Sequence, residues 1–292
     1  MLSGKTVVVT GAGHGVGEAV AIELGRYGAN VAVNDLGTNP EGDGSDPEPA
    51  ETTAEAVREA GGNAITHFGD ASSMEEAEEL ITRTYEEFER VDGIANFAGI
   101  VRNDRIADLS RDDWNAVIDV HLGSHFAQLR ALVRHAEKHD LDSERSFLGT
   151  SSGAAVGGYG QLAYSTAKAG VLGFVRSASD ELRDSGIRVN ALVPGAESRQ
   201  NSYFPASDSE DRSIPGPEHI GPTVGFLMSD EAEGVNGLTI RASGEMIGLV
   251  SDPQATRLAF REDGWTPDTI AERFHTTFGE YESLDRKRYP LE

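Results

Sequence analysis

One stretch near the N-terminus restricts this chain more than any other. The β-branched run Lys5–Thr10 breaks into Thr10-Gly-Ala-Gly-His-Gly-Val-Gly17, and a helical pattern follows from about Gly15 to Gly28. Glycines between a strand and a helix let the backbone turn sharply and come close to a ligand. The helix end behind them offers N–H groups and a positive dipole end to an anion. A glycine-rich turn alone serves many tight bends. In this position it reads as a cradle for a pyrophosphate, with Gly11, His14, Gly15, Val16 and Gly17 as its residues.

The pattern that follows alternates strands and helices. Further strands are predicted at Asn30–Asn34, Ala64–Phe68, Gly93–Asn96, Ser146–Thr150, Ile187–Leu192 and Leu238–Arg241. Helices are predicted at Glu51–Ala60, from a Ser73/Glu76 capping box to Phe88, from Ser110 to about Lys138, and at Tyr164–Asp184 and Ile220–Ser229. The segments Gly37–Pro49 and Gly195–Gly216 read as loops. Early strands that are almost wholly apolar imply a parallel sheet covered on both faces, hence one doubly wound α/β domain over residues 1–250. Residues 251–292 read as an acidic C-terminal extension with a weak helix at Pro267–Phe278.

Charge narrows the partners. Forty-nine acidic residues against 25 basic ones give a net charge of −24, with only four lysines: Lys5, Lys138, Lys168 and Lys287. Such a surface repels DNA and anionic membranes, so neither is an expected partner. Carboxylates that repel one another at low salt are tolerable where salt screens them, which predicts a salt-adapted, halophilic cytoplasm. An acidic, soluble protein without that adaptation is the plainer alternative. No apolar run reaches the length of a membrane helix, and the N-terminus lacks the core of a signal peptide. With no cysteine, thiolate zinc sites and cysteine nucleophiles are excluded. The helical histidines, of which His121 and His125 share a face, have no carboxylate placed to complete a site, so no metal is expected.

The remaining ligand residues follow from strand ends. Asp35 ends the second strand, where a carboxylate can accept hydrogen bonds from an adenosine ribose and repel a 2′-phosphate. No arginine adjoins it, so NAD is favoured over NADP; the competing reading is a turn-forming aspartate. Asp70, with Ala71, follows the third strand. It can meet the adenine amino group or cap the next helix, and the two readings stand even. Asn96, Ala98 and Gly99 end the fourth strand, where small residues leave room for adenosine.

Tyr164 and Lys168 are four apart on one predicted helix and share a face. Ser151 lies thirteen residues before Tyr164, just after a strand. A free tyrosine has a pKa of about 10 and is a poor base near neutrality. A lysine ammonium one turn away, with a positive nicotinamide ring, is expected to depress it, so that Tyr164 moves the hydroxyl proton. Ser151 is expected to hold the substrate oxygen, and Lys168 to anchor the nicotinamide ribose. Each piece has a bland reading; their joint occurrence in this order, behind a nucleotide turn, favours the chemical one. A serine hydrolase, possible on composition alone, is set aside.

Together these residues resemble the short-chain dehydrogenase/reductase family over roughly residues 3–250. The pieces are Thr-Gly-x-x-x-Gly-x-Gly at 10–17, Asn-x-Ala-Gly at 96–99, Ser151 with Tyr164-Ser-Thr-Ala-Lys168, and Pro194-Gly195. The resemblance implies a seven-stranded, Rossmann-type parallel sheet, a nicotinamide cofactor lined by Pro194 and Gly195, and a homodimer or homotetramer. Val33-Asn-Asp-Leu-Gly37, Val120-His-Leu-Gly123 and Gly160-Gln-Leu-Ala-Tyr164 look like the 3-hydroxyacyl-CoA dehydrogenase part of multifunctional β-oxidation enzymes. Two positions depart from the family. His121 stands where an asparagine usually assists a proton relay, and it either relays protons itself or packs. Phe97 replaces the second asparagine of Asn-Asn-Ala-Gly. The expected activity is an NAD-linked alcohol–ketone interconversion, best on a 3-hydroxyacyl-CoA. Alternatives are a 3-oxoacyl reductase, a steroid, sugar or small-alcohol dehydrogenase, and a non-catalytic nucleotide-binding scaffold.

Overall fold

Five consecutive buried residues, Thr6–Thr10, form β1, and their alternation builds the molecule's two faces. Val7 and Val9 point to one side of the sheet, Val8 to the other; Val31 and Val33 of β2 (Asn30–Asp35) oppose Ala32 in the same way. On the first side lie α1 (Gly15–Arg26), α2 (Glu48–Glu59) and α7 (Gly221–Met228). On the second lie α3 (Met74–Phe88), α5 (Ser124–Ala136) and α6 (Leu162–Glu181). A strand buried on both faces must be apolar throughout, which is what the early strands show.

The remaining strands are β3 (Asn63–Phe68), β4 (Gly93–Asn96), β5 (Arg145–Thr150), β6 (Ile187–Pro194), β7 (Thr239–Ser243) and β8 (Met246–Leu249). Their order is β3-β2-β1-β4-β5-β6-β7-β8. The first seven pair in parallel, as expected, and β8 adds an antiparallel edge. Sequence reading did not anticipate β8, a four-residue strand whose Ile247 and Leu249 are exposed and carry no alternation. The available signal was Gly244, at φ 53° in a two-residue turn closed by Ser243 and Met246. Strand order reverses between β1 and β4, and a crevice opens at such a switch point.

The expected helix from Ser110 to Lys138 is two helices. Ser110 caps α4 (Arg111–Ile118), its Oγ accepting the Asp113 amide, and a π-turn at Asp119–Gly123 separates α4 from α5. The Ser73/Glu76 box forms only half: Ser73 Oγ accepts the Glu76 amide, while the Glu76 carboxylate accepts the Asp70 amide instead.

The computed structural model describes residues 1–158, 160–197, 214–253, 258–262 and 264–278. Most of the expected loop Gly195–Gly216 lies outside the described residues. The chain divides into two compact units, Met1–Val250 and Ser251–Glu292. The second contains α8 (Pro267–Phe278), entered through Thr266, whose Oγ1 accepts the Thr269 amide. Among the described residues no helix is long and apolar enough to cross a membrane, and no cluster of His, Asp or Glu can hold a metal ion.

Candidate active site

A cavity of about 440 Å³ lies at the switch point. Of the residues singled out from sequence, Gly11, His14, Gly15, Val16, Asp35, Asp70, Ala71, Ala98, Gly99, His121, Ser151, Tyr164, Lys168 and Pro194 all line it. Gly17, Asn96 and Gly195 do not; they support the walls. A Cβ on Gly17 would lie 2.2 Å from the Gly11 carbonyl oxygen, so only glycine lets α1 start against the turn. Gly11 itself has φ 65°, and a Cβ there would strike the Ala98 amide at 2.5 Å. Asn96 is fully buried; its Oδ1 accepts Thr10 Oγ1 and the Ala98 amide, and its Nδ2 donates to Ser124. Gly195 packs on Ser243.

The Asp35 carboxylate accepts the Gly13 amide at 2.7 Å and the Gly37 amide at 2.6 Å, the bonds of a turn-forming aspartate, and Asp35 also lines the cavity. Asp70 makes the local bond: its Oδ1 accepts the Ser72 amide and hydroxyl.

Sequence reasoning missed the strap over this end of the cavity. After β2, residues 36–46 fold back across the loop that leaves β4, and Thr38, Pro40 and Gly42 line the cavity. The Val101 amide donates to the Pro40 carbonyl at 2.8 Å. Arg102 fastens the strap, its guanidinium reaching the Glu41 carbonyl at 2.9 Å, Asp113 at 2.9 Å and Asp43 at 3.3 Å. Ser110 and Arg102 together hold the Asp113 carboxyl below its ordinary value. The glycine, proline and aspartate that marked 37–49 as irregular carried no sign of where it docks.

At the other end, α6 presents Tyr164 and Lys168 to the end of β5. Lys168 Nζ donates to the Thr150 carbonyl at 2.8 Å and lies 5.7 Å from the Tyr164 ring centre. Ser151 Oγ donates to the Lys168 carbonyl at 2.7 Å, and Ser151 is buried. Its neighbour Ser152 also lines the cavity, its Oγ accepting the Ala154 amide at 3.1 Å. His121 sits in the π-turn, its ring edge-on to Tyr164 at 5.0 Å. Its Nε2 lies 2.7 Å from the Ile100 carbonyl oxygen, and its Nδ1 is buried with no hydrogen-bond partner among the described residues. π-turns often mark functional positions, because the widened turn redirects side chains.

Burial pushes the Tyr164 phenol above its ordinary value, opposed by a hydrogen bond from Ser152. Burial also draws Lys168 down to about 7. His121, equally buried and beside Lys168, is held well below its usual range and is neutral.

The short chain dehydrogenase family profile matches residues 5–201. This chain belongs to that family. The hydroxyacyl-CoA dehydrogenase ChsB1 of Mycobacterium tuberculosis is 35% identical over 281 residues, covering 92% of this chain and 87% of that protein. The mouse peroxisomal multifunctional enzyme type 2 is 33% identical over 235 residues, 80% of this chain but only 31% of that longer protein. A short chain dehydrogenase from Mycobacterium avium of known crystal structure superposes with a TM-score of 0.82 at 31% identity, covering 95% of this chain and 96% of that one.

As a short-chain dehydrogenase, the chain is a nicotinamide-dependent oxidoreductase acting on CH–OH groups. Its cavity fits such a cofactor: a turn in which a Cβ on Gly11, Gly13 or Gly17 would strike its neighbours lies at one end, and a tyrosine–lysine pair lies at the other. Ser151 and Ser152 both line the cavity, and the Ser151 hydroxyl also donates to the Lys168 carbonyl.

Proposed function

We propose that this chain is an NAD-dependent dehydrogenase of secondary alcohols, with a 3-hydroxyacyl-CoA as its substrate class. The observation that carries this is the convergence of Asp35, Ser151, Tyr164 and Lys168 on one cavity. The names of the two hydroxyacyl-type relatives support the substrate class. The glycine turn with His14, Gly15 and Val16 would hold the pyrophosphate, Asp35 the adenosine ribose, Asp70 and Ala71 the adenine side, Ala98 and Gly99 the adenosine face, and Pro194 the nicotinamide side. Asp35 would repel a 2′-phosphate, which favours NAD. Gly17, Asn96 and Gly195 act through the walls they hold.

When bound, the nicotinamide ring accepts or returns the hydride, and its oxidised form brings a positive charge to the tyrosine. Ser151 orients the substrate oxygen by hydrogen bonding. Tyr164 takes the hydroxyl proton in oxidation or gives it in reduction. Lys168 anchors the nicotinamide ribose. His121, neutral, with Nε2 beside both the amide and the carbonyl of Ile100, would take part in proton relay through Nδ1.

The unit of residues 1–250 carries the cofactor and residues 251–292 are an extension of it. The charge of −24 fits a halophilic cytoplasm, and a homodimer or homotetramer is the expected assembly. Replacing Tyr164 by Phe tests the central assignment. Turnover should fall by about 10²–10⁴-fold, while NAD binding by calorimetry stays near wild type. Undiminished turnover would remove Tyr164 from the reaction.

A further inference from the structure

His125 is a second fully buried histidine, one helical turn beyond His121, and it lies outside the cavity. Its ring occupies space that β5 leaves open. A Cβ on Gly149 would come within 2.8 Å of His125 Cδ2, so the glycine in that strand is what admits the imidazole. Phe147 and Phe174 meet the ring edge-on at 6.2 and 6.4 Å.

Packing does not account for the ring's polar contact. His125 Nε2 accepts the Thr150 amide at 3.0 Å. Pairing of β4 with β5 ends at Asn96 and Gly149, one residue earlier, so this N–H has no strand partner on the β4 side. In a parallel strand the N–H and C=O of one residue point to the same side. The Thr150 carbonyl on that side accepts Lys168 Nζ at 2.8 Å. The next residue adds a second tie to the same lysine, Ser151 Oγ donating to the Lys168 carbonyl.

We infer that His125 is a positioning residue for Lys168. By accepting the Thr150 amide it sets the strand end that presents the Thr150 carbonyl and the Ser151 hydroxyl to the lysine. The contact requires a neutral ring protonated at Nδ1, which lies 3.5 Å from Ser124 Oγ. The charged and titratable groups facing it are Lys168 from α6 and His121 from the π-turn. The inference rests on the reading of Lys168 as the lysine of the reaction.

Two variants separate positioning from packing. His125→Leu fills similar volume without an acceptor; His125→Gln restores one. In His125→Leu, kcat should fall by roughly 10- to 100-fold, as a small misplacement of reacting groups does, with the NAD dissociation constant and substrate KM within about twofold. His125→Gln should recover most of the loss. A readout independent of turnover is the titration of Lys168 by ¹³Cε-lysine NMR, practical because the chain has four lysines and assignable with Lys168→Met. His125→Leu should move the Lys168 midpoint downward, since its ammonium loses a well-placed acceptor; His125→Gln should return it. If His125→Leu leaves both kcat and that titration at wild-type values, the inference is overturned. If His125→Leu does not fold, wild-type behaviour with His125→Gln supports it, and a Gln variant that folds yet matches the Lys168→Met loss overturns it. A wild-type protein inactive on every hydroxyl substrate, but with the titration responding as stated, would remove the functional reading and leave this one.

Discussion

Ser151 Oγ lies 2.7 Å from the carbonyl oxygen of Lys168, so one hydrogen bond ties the end of β5 to the helix that carries Tyr164 and Lys168. Ser151 and Ser152 both line the cavity, and the role proposed for Ser151 makes it the serine whose loss costs turnover. Ser151→Ala should therefore lower kcat/KM by about 10²-fold or more, in the range of losing one hydrogen-bond donor to a reacting oxygen, and cost about 1 kcal/mol of stability, the worth of an ordinary buried hydrogen bond. Ser152→Ala should bring a much smaller loss of turnover. Parallel kinetics and melting curves distinguish them. The opposite ranking in kcat/KM gives the role to Ser152.

Stability should rise with pH across two windows. Burial lowers His125 to about 3 and His135 to about 4, from 6.5, so the unfolded chain binds protons that the native chain refuses as pH drops through 6.5. Stability present above 6.5 is thus lost toward pH 3–4. Lys168, lowered from 10.5 to about 7, acts likewise between those values. Tyr164, raised above 10, works in the other direction at higher pH. Urea midpoints in molar salt, which screens the carboxylates, should be higher at pH 8 than at pH 5. A midpoint independent of pH would contradict the neutral, buried state of these groups.

Activity should follow the tyrosine. Because the protein alone keeps Tyr164 protonated near neutrality, oxidation of the alcohol should climb with pH above 7 and reduction of the ketone should decline. Ser152→Ala, which removes the bond opposing burial, should displace the rising limb to still higher pH. A limb that stays in place counts against the Ser152–Tyr164 contact.

Arg102→Met should loosen the strap at 36–46 and leave the Tyr164 end untouched. The expected result is a KM for NAD raised about tenfold, equivalent to roughly 1.4 kcal/mol of binding, with kcat within about twofold. Limited proteolysis should cut between residues 38 and 45 faster than in the wild type. Unchanged KM and unchanged cleavage would show that the strap does not contribute to cofactor retention.

With a net charge of −24, the melting temperature should increase from low to molar potassium chloride as carboxylate repulsion is screened. A flat or falling curve removes the halophilic reading.

The sheet was legible because its strands are apolar on both faces and its turns are punctuated by glycine; β4 was placed to the residue. What escaped was geometry that no local pattern encodes. Residues 110–138 keep helical periodicity through the π-turn that turns His121 toward Tyr164. Spacing from Tyr164 selected Ser151, which lines the cavity, but carried no sign that its hydroxyl meets the Lys168 carbonyl. Arg102 and the strap meet across about sixty residues of sequence, and His125 meets Thr150 across 25. Such pairings follow from strand order, which a linear reading does not supply.

The most direct measurement is absorbance at the reduced-nicotinamide band in high salt, with NAD or NADP offered beside 3-hydroxyacyl-CoAs, steroids and simple secondary alcohols. The prediction is reduction of NAD well ahead of NADP with a 3-hydroxyacyl-CoA, the preference collapsing in Asp35→Ser. Turnover confined to NADP, or to substrates without a 3-hydroxyacyl thioester, would contradict it.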